Sequence, residues 1–394
     1  MQTERNTLLT RTKGETMAGR VALSAFIALI VAMGIGRFTF TPQVPLMIAE
    51  QQLTLTSAAV VAAFNYLGYL CGSWNAMRTT THVEARLKAG IGGAVVLTLL
   101  SACVSDAWLH GAMRFVIGWA SGWTMVLVAA WSNEQLHKYG RPGLSAAVFA
   151  GPGMGIFLSG LLAVFLHAHQ IAAAQAWCAY GVLALILVLP ILRFLPRKGE
   201  LHRPETAPEP LVLTKGLKKL VWSYSLAGFG YIIPATFMSQ MAAARFPDSV
   251  FAQFVWPIFG GTAVLGVGAG ILLRRFGTSN TRLAFNLWAQ ALGVLCAAIV
   301  PGLGGLAVGS VLMGFGFLSL VSLSLQYARE MAPQHSRYMA GLLTTGYAVG
   351  QLIGPLVSAI STTLSHRLEP ALYLAGAGLL AAGLLVWRRD PAAE

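Results

Sequence analysis

Twelve apolar runs, each long enough to cross a lipid bilayer, occupy most of this 394-residue chain. A spanning helix needs roughly 20 mostly apolar residues, because the hydrocarbon core offers the backbone no partner outside the helix itself. The runs read as 21–46, 57–77, 87–104, 109–131, 144–166, 172–195, 220–241, 250–273, 283–300, 304–325, 339–362 and 371–387. No connection is long enough to hold a soluble domain. Only 10% of residues are charged, against about 25% in an average soluble domain. That excludes a soluble enzyme, a secreted disulfide domain and a disordered tail protein. Cys71, Cys103, Cys178 and Cys296 sit singly in apolar stretches and suggest neither a metal site nor a disulfide framework. The first run is too long for a cleaved signal segment and carries Arg37.

The net charge of +13 is a statement about topology before it is one about partners. Of the 27 Lys and Arg, 23 lie on alternate connections and at the two termini. The other set of connections holds only Arg245 and Arg367, while Arg37 and Arg114 lie inside runs. By the positive-inside rule both termini are expected in the cytoplasm, with the chain in a cell membrane, the inner membrane of a bacterium. The expected fold is an all-α integral membrane protein of twelve transmembrane helices in two pseudo-symmetric six-helix bundles. Residues 1–195 form the first bundle, with a short cytoplasmic N-terminus. Residues 196–219 form a cytoplasmic linker and 220–394 the second bundle.

The two halves repeat. Gly34-Ile35-Gly36-Arg37 corresponds to Gly228-Phe229-Gly230-Tyr231, 194 positions later. Gly72 corresponds to Gly270 and Gly151-Pro152 to Gly354-Pro355, at offsets of 198 and 203. Duplicated helix sets are the usual construction of secondary transporters, with the substrate held between the repeats near the bilayer midplane.

Twelve spans, a six-plus-six repeat and a long central linker resemble the major facilitator superfamily. The segment Arg114-Phe-Val-Ile-Gly118-Trp-Ala-Ser-Gly122 resembles its RxxxGxxxG motif. Gly151-Pro152-Gly153-Met154-Gly155 resembles the Gly-Pro motif of its antiporters. The family's loop between spans two and three reads GxxxD; here Gly72 is kept and Ala76 replaces the acid, while the second copy carries Arg274 there. The usual ion pair at that gate is therefore in question. Gly34-Ile-Gly-Arg37-Phe-Thr-Phe-Thr-Pro42-Gln-Val-Pro45 is similar to the YbfB/YjiJ-like branch. The resemblance implies transport of a small molecule without naming it.

Arg37 is the sharpest candidate. It lies about 25 Å along the helix from Arg20 and about 20 Å from Glu50. A mid-span Arg costs roughly 2.5–3.5 kcal/mol on insertion scales, so it must face protein or a water-filled cavity. Two readings stand. Arg37 binds an anionic group or gates a central cavity. Alternatively, it locks helices through the carbonyls of Phe38 and Thr41, which Pro42 and Pro45 leave without a donor. Tyr231, its repeat mate, belongs either across that cavity or to packing. Arg114 lies only about 8 Å into its span and either snorkels outward or serves gating or coupling. Asn65, Tyr66, Gln240, Gln253, Gln326, Tyr347 and Gln351 are in-span polar candidates for substrate contacts or interhelical bonds. Trp119, Trp123 and Trp131 suit packing, or stacking on a substrate. Gly118, Gly122, Gly151, Pro152, Gly354 and Pro355 suit close helix packing and bends.

All eight His and all fourteen acids fall in connections or near span ends, Glu134 and Glu330 being the deepest acids. No metal set, nucleophile pair or carboxylate dyad appears, so an enzyme is not expected, nor any metal or cofactor. No GxxxxGK[ST] is present for ATP coupling. Proton coupling would fall to Glu134, a peripheral acid or the substrate. The function expected is secondary active transport of a small solute by alternating access, as an antiporter or exporter, with Arg37 lining the cavity. The partners expected are an anionic small molecule and the lipid bilayer, with no nucleic acid and a monomeric protein. The alternative is a non-transporting receptor or scaffold on the same fold.

Overall fold

The structure is a computed structural model describing residues 2–79, 81–201, 213–272 and 276–387. The middle of the expected linker, with Arg274, Arg275, Arg388 and Arg389, lies outside the described residues. Among the described residues, twelve helices are long and apolar enough to cross a membrane, from span one (Gly14–Ala49) to span twelve (Glu369–Trp387). The described residues contain no strand. Several helices outrun their apolar stretch. Span four is Ala107–Lys138 rather than 109–131, because polar residues at an aqueous end continue a helix that the apolar core has already nucleated. Side chains fix two of the starts: Asp106 accepts from the Leu109 N–H at 2.8 Å at the head of span four, and Thr54 and Ser57 form a reciprocal capping box before Leu55.

The two basic side chains that break the charge asymmetry share one acid. Arg245 reaches Glu369 at 3.3 Å and Arg367 reaches it at 3.8 Å. Arg245 also donates to the Ala297 carbonyl at 2.8 Å, which ties span seven (Lys215–Arg245) to span nine (Ser279–Ile299). Both charges thus sit at the face opposite the basic one with a partner at hand.

Small residues set the packing, as expected where lipid supplies no hydrophobic drive between helices. Span two (Leu55–Arg78) runs against span four at Gly118 and Gly122. A Cβ on Gly122 would lie 2.6 Å from the Ser73 nitrogen, and one on Gly118 would overlap the Asn65 carbonyl. In the second half, Gly314 of span ten (Leu303–Met331) meets the Phe259 carbonyl of span eight (Val250–Gly270) in the same way. Gly354 of span eleven (Tyr338–Ser365) packs on Ile232 of span seven (Lys215–Arg245). Across the halves, span one meets span seven, span two meets span eleven, and span five (Leu144–Ala168) meets span eight.

Two spans are broken. Span one changes from α-helix to a π-helix over Ile30–Arg37, then restarts at Phe40. The Phe38 N–H donates five residues back, to Met33 at 3.2 Å. This wide turn coincides with a backbone crossing: a Cβ on Gly155 would lie 2.6 Å from the Gly34 Cα. Span five breaks between Leu144–Val148 and Gly151–Ala168. Pro152 lies in the first turn of the second piece, where a missing N–H costs nothing. Pro355, in contrast, lies inside the helix Ser336–Ser365.

Candidate functional site

The π-helix ends on Arg37, and the wide turn presents that side chain to the other half of the molecule. Arg37 is 3% exposed. Its Nη2 donates to Gln351 Oε1 of span eleven at 2.7 Å. The same amide donates through Nε2 to the Tyr231 hydroxyl of span seven at 2.6 Å. The repeat mates Arg37 and Tyr231 therefore meet through one glutamine. Arg37 Nε is buried with no hydrogen-bond partner, and no carboxylate bonds the guanidinium among the described residues. Rings close the remaining sides: the guanidinium carbon lies 3.8 Å from the Tyr69 centroid, 4.9 Å from Tyr66 and 5.1 Å from Phe38. Such cation–π contacts substitute in part for lost hydration.

Further bonds cross between the halves nearby. The Tyr66 and Thr236 hydroxyls lie 3.1 Å apart, and Thr41 Oγ1 donates to the Ala235 carbonyl at 2.9 Å. Nearer the face opposite the basic one, Thr56 and Thr362 hydroxyls pair at 3.0 Å. The lock through proline-freed carbonyls takes another form: the Phe38 carbonyl accepts from the Thr41 N–H at 3.2 Å, and Arg37 reaches across to Gln351 instead.

Arg114 does not snorkel. It is fully buried and points into the first half. Nη1 donates to the Gly36 carbonyl at 3.1 Å and Nη2 to Ser101 Oγ at 3.1 Å, with the Trp177 ring 4.5 Å away. Arg114 thus supplies a side-chain donor to a carbonyl of the π segment. His110 is likewise fully buried rather than at a wet span end, and its Nε2 pairs with the Val104 carbonyl at 2.7 Å.

The remaining candidates divide. Tyr347 joins the centre, its ring stacked on Tyr231 at 5.5 Å and on Tyr224 at 4.5 Å. Asn65 is buried at the crossing of spans two and four, with Oδ1 unbonded. Gln240 lies nine residues past Tyr231, about 13 Å along the helix. Its Oε1, like that of Gln253, is buried without a partner. Gln326 faces away from the centre and donates to Glu330 at 3.1 Å near the basic end of span ten. Glu134 lies half-buried near the basic end of span four, four residues before Lys138. Trp131 is buried within span four.

Sequence reasoning passed over four contributors: Tyr69, Phe38, Thr236 and Phe317, whose ring stacks on Tyr231 at 4.8 Å. Tyr66 and Tyr69, three apart, share a helix face, as do Tyr224 and Tyr231, seven apart; that spacing was a readable signal. Asn75 was also passed over. It stands one residue before Ala76 and accepts from Arg86 at 3.0 Å and from Trp123 Nε1 at 2.9 Å. A neutral acceptor thus ties spans two, three (Val83–Cys103) and four, one residue before the position where the family pattern would place an acid. No cluster of His, Cys, Asp or Glu suited to a metal occurs among the described residues.

A family described as "Uncharacterised MFS-type transporter YbfB" matches residues 29–387. Among curated proteins none matches the sequence. The fold resembles two crystal structures of the nucleoside transporter NupG. For a point mutant of that protein the TM-score is 0.68 at 15% identity, covering 94% of this chain and 98% of that one. For the second structure it is 0.67 at 14% identity, covering 95% and 100%. At such identity the likeness speaks for the fold alone. The family match spans nearly all of the membrane-embedded chain, which is therefore a multi-pass membrane protein and a member of the YbfB-like transporters of the major facilitator superfamily.

Proposed function

We propose that the protein is a secondary active transporter of a small organic anion, working by alternating access with Arg37 as the anion-recognising group. One observation carries this reading: a buried guanidinium, with an unbonded Nε and no carboxylate partner among the described residues, bridges the two halves through a neutral amide. An isolated buried charge is costly unless something pairs with it. Gln351 supplies a dipole, and an anionic solute would supply the charge. A cationic solute would meet Arg37 already occupying the ring cage, and repulsion disfavours it.

In this reading residues 1–195 and 220–394 rock about the centre, joined by the linker 196–219. The bonds Arg37–Gln351, Tyr66–Thr236, Thr41–Ala235 and Thr56–Thr362 must part when the face carrying Thr56 opens. A bound anion competes with Gln351 for Arg37 and so lowers the cost of parting. Gly151–Pro152, with its likeness to the antiporter motif, favours exchange or export. The basic face is cytoplasmic in an inner membrane, so both termini lie inside. One chain holds the whole path and works as a monomer.

The test is flux in proteoliposomes. Uptake of radiolabelled monocarboxylates, abolished by Arg37→Gln, is the expected result. The structural neighbours are named for nucleosides, which are uncharged. Nucleoside uptake indifferent to Arg37→Gln would overturn the anion reading, and absence of all flux would favour a receptor.

A further inference from the structure

The rings around Arg37 narrow the class of anion, on the condition that the anion reading above holds. Four rings from three spans of the second half lie nearly parallel. Tyr224 and Tyr347 are 4.5 Å apart at 26°, Tyr347 and Tyr231 5.5 Å at 16°, and Tyr231 and Phe317 4.8 Å at 19°. Phe38 of the first half meets Phe317 edge-on at 6.0 Å, and the same Phe38 ring lies 5.1 Å from the Arg37 guanidinium. The stack and the cation are therefore one structure, joined through Phe38 and through the Gln351–Tyr231 bond. Aliphatic side chains pack helices equally well. The parallel run reaches Phe317, which also meets Phe259 at 5.8 Å and 36°, and through Phe38 it lies beside the buried cation that bridges the halves.

Charge counting limits the ligand further. Arg114, the other buried arginine, spends its Nη groups on Gly36 and Ser101 inside the first half. The Nε of both arginines is buried without a partner, but only Arg37 faces the other half, its Nη2 held by a neutral amide. One carboxylate matches Nε and Nη2 of Arg37 in a fork; the other buried cation among the described residues, Arg114, points into the first half and is not at hand for a dianion.

We propose that the substrate is a monocarboxylate carried on a planar aromatic ring. Its carboxylate takes Nη2 from Gln351 and fills Nε. Its ring continues the stack at the Phe317 end, beside Phe38. Aromatic pairs in such geometry add affinity beyond the area they bury.

The test uses purified full-length protein in nanodiscs, titrated with phenylacetate, cyclohexylacetate and phenylacetamide, with thermal melting as the readout. The two acids share charge and reach, and the saturated ring is the more hydrophobic, so area alone gives phenylacetate no advantage. Phenylacetate should bind about fivefold or more tightly than cyclohexylacetate, and phenylacetamide much more weakly than either. A smaller or reversed preference between the acids overturns the aromatic class and leaves the anion reading standing. Amide binding equal to acid binding, or no binding by either acid, overturns both. Phe317→Leu should bring the two acids close to equal affinity while both still outbind the amide; an undiminished preference in that variant would also overturn the ring assignment. Should that variant fail to fold, the comparison on unaltered protein still decides.

Discussion

Arg37 and Gln351 stand 314 positions apart and form a 2.7 Å hydrogen bond between the two halves of the protein. The donor is a permanent charge and the acceptor a neutral amide, so the pair is strong enough to orient the site and weak enough for a carboxylate to displace.

Arg37→Lys keeps the charge and loses the planar fork; Arg37→Gln loses the charge as well. Anion affinity should fall roughly ten- to hundredfold, most for Gln, as expected for a charge-assisted bond of about 1.5–3 kcal/mol. Binding and melting temperature measured on the same purified variants check this. A destabilised protein with unchanged affinity would falsify the binding role.

Gln351→Glu would place a carboxylate beside the guanidinium and imitate a bound anion. Melting temperature should rise and anion transport should fall more than about tenfold, because the internal acid occupies Arg37. Gln351→Leu should do the reverse to stability, costing about 1–3 kcal/mol by leaving Arg37 without its partner. If both variants transport as well as the parent, Gln351 has no part in the site.

A Cβ on Gly160 of span five would lie 2.8 Å from Pro257 Cδ of span eight. Gly160→Leu should push the halves apart there and destabilise this arrangement by about 1–3 kcal/mol. In that background a Cys introduced at Thr56, which pairs with Thr362 across the halves, should label faster than in the parent. An unchanged labelling rate would separate this contact from the gate.

Arg114 holds the Gly36 carbonyl, one residue before the site arginine. Arg114→Met should cost about 3 kcal/mol or more of stability, since it leaves Gly36 and Ser101 without their donor in a dry interior. Arg114→Lys should recover part of it. Thermal melting of the two variants compares them directly.

Topology is open to labelling. Cys introduced at Lys138 in a background lacking the four native cysteines should be protected from impermeant reagent in intact cells. Cys at His169 should be reached. The opposite pattern would invert the orientation argued from Lys and Arg placement.

What the chain order alone determined is what depends on hydropathy and charge along it. The twelve spans, their basic ends and the depth of Arg37 follow from 20-residue windows, because a bilayer tests each segment separately. The repeat was legible because Gly34 and Gly228, or Gly151 and Gly354, occupy matching places in each half. Tertiary structure decided the partners. Nothing local distinguishes Gln351, which bonds Arg37, from Gln326, which turns to Glu330 at the basic end. Arg114 and Arg37 both read as in-span cations, yet one is spent on the Gly36 carbonyl and the other is aimed at the opposite half. That difference comes from the wide turn over Ile30–Arg37 and the Gly34–Gly155 crossing beside it. Long-range packing of this kind leaves no periodic trace in sequence, because the residues that meet are set by how whole helices dock, not by their spacing within one.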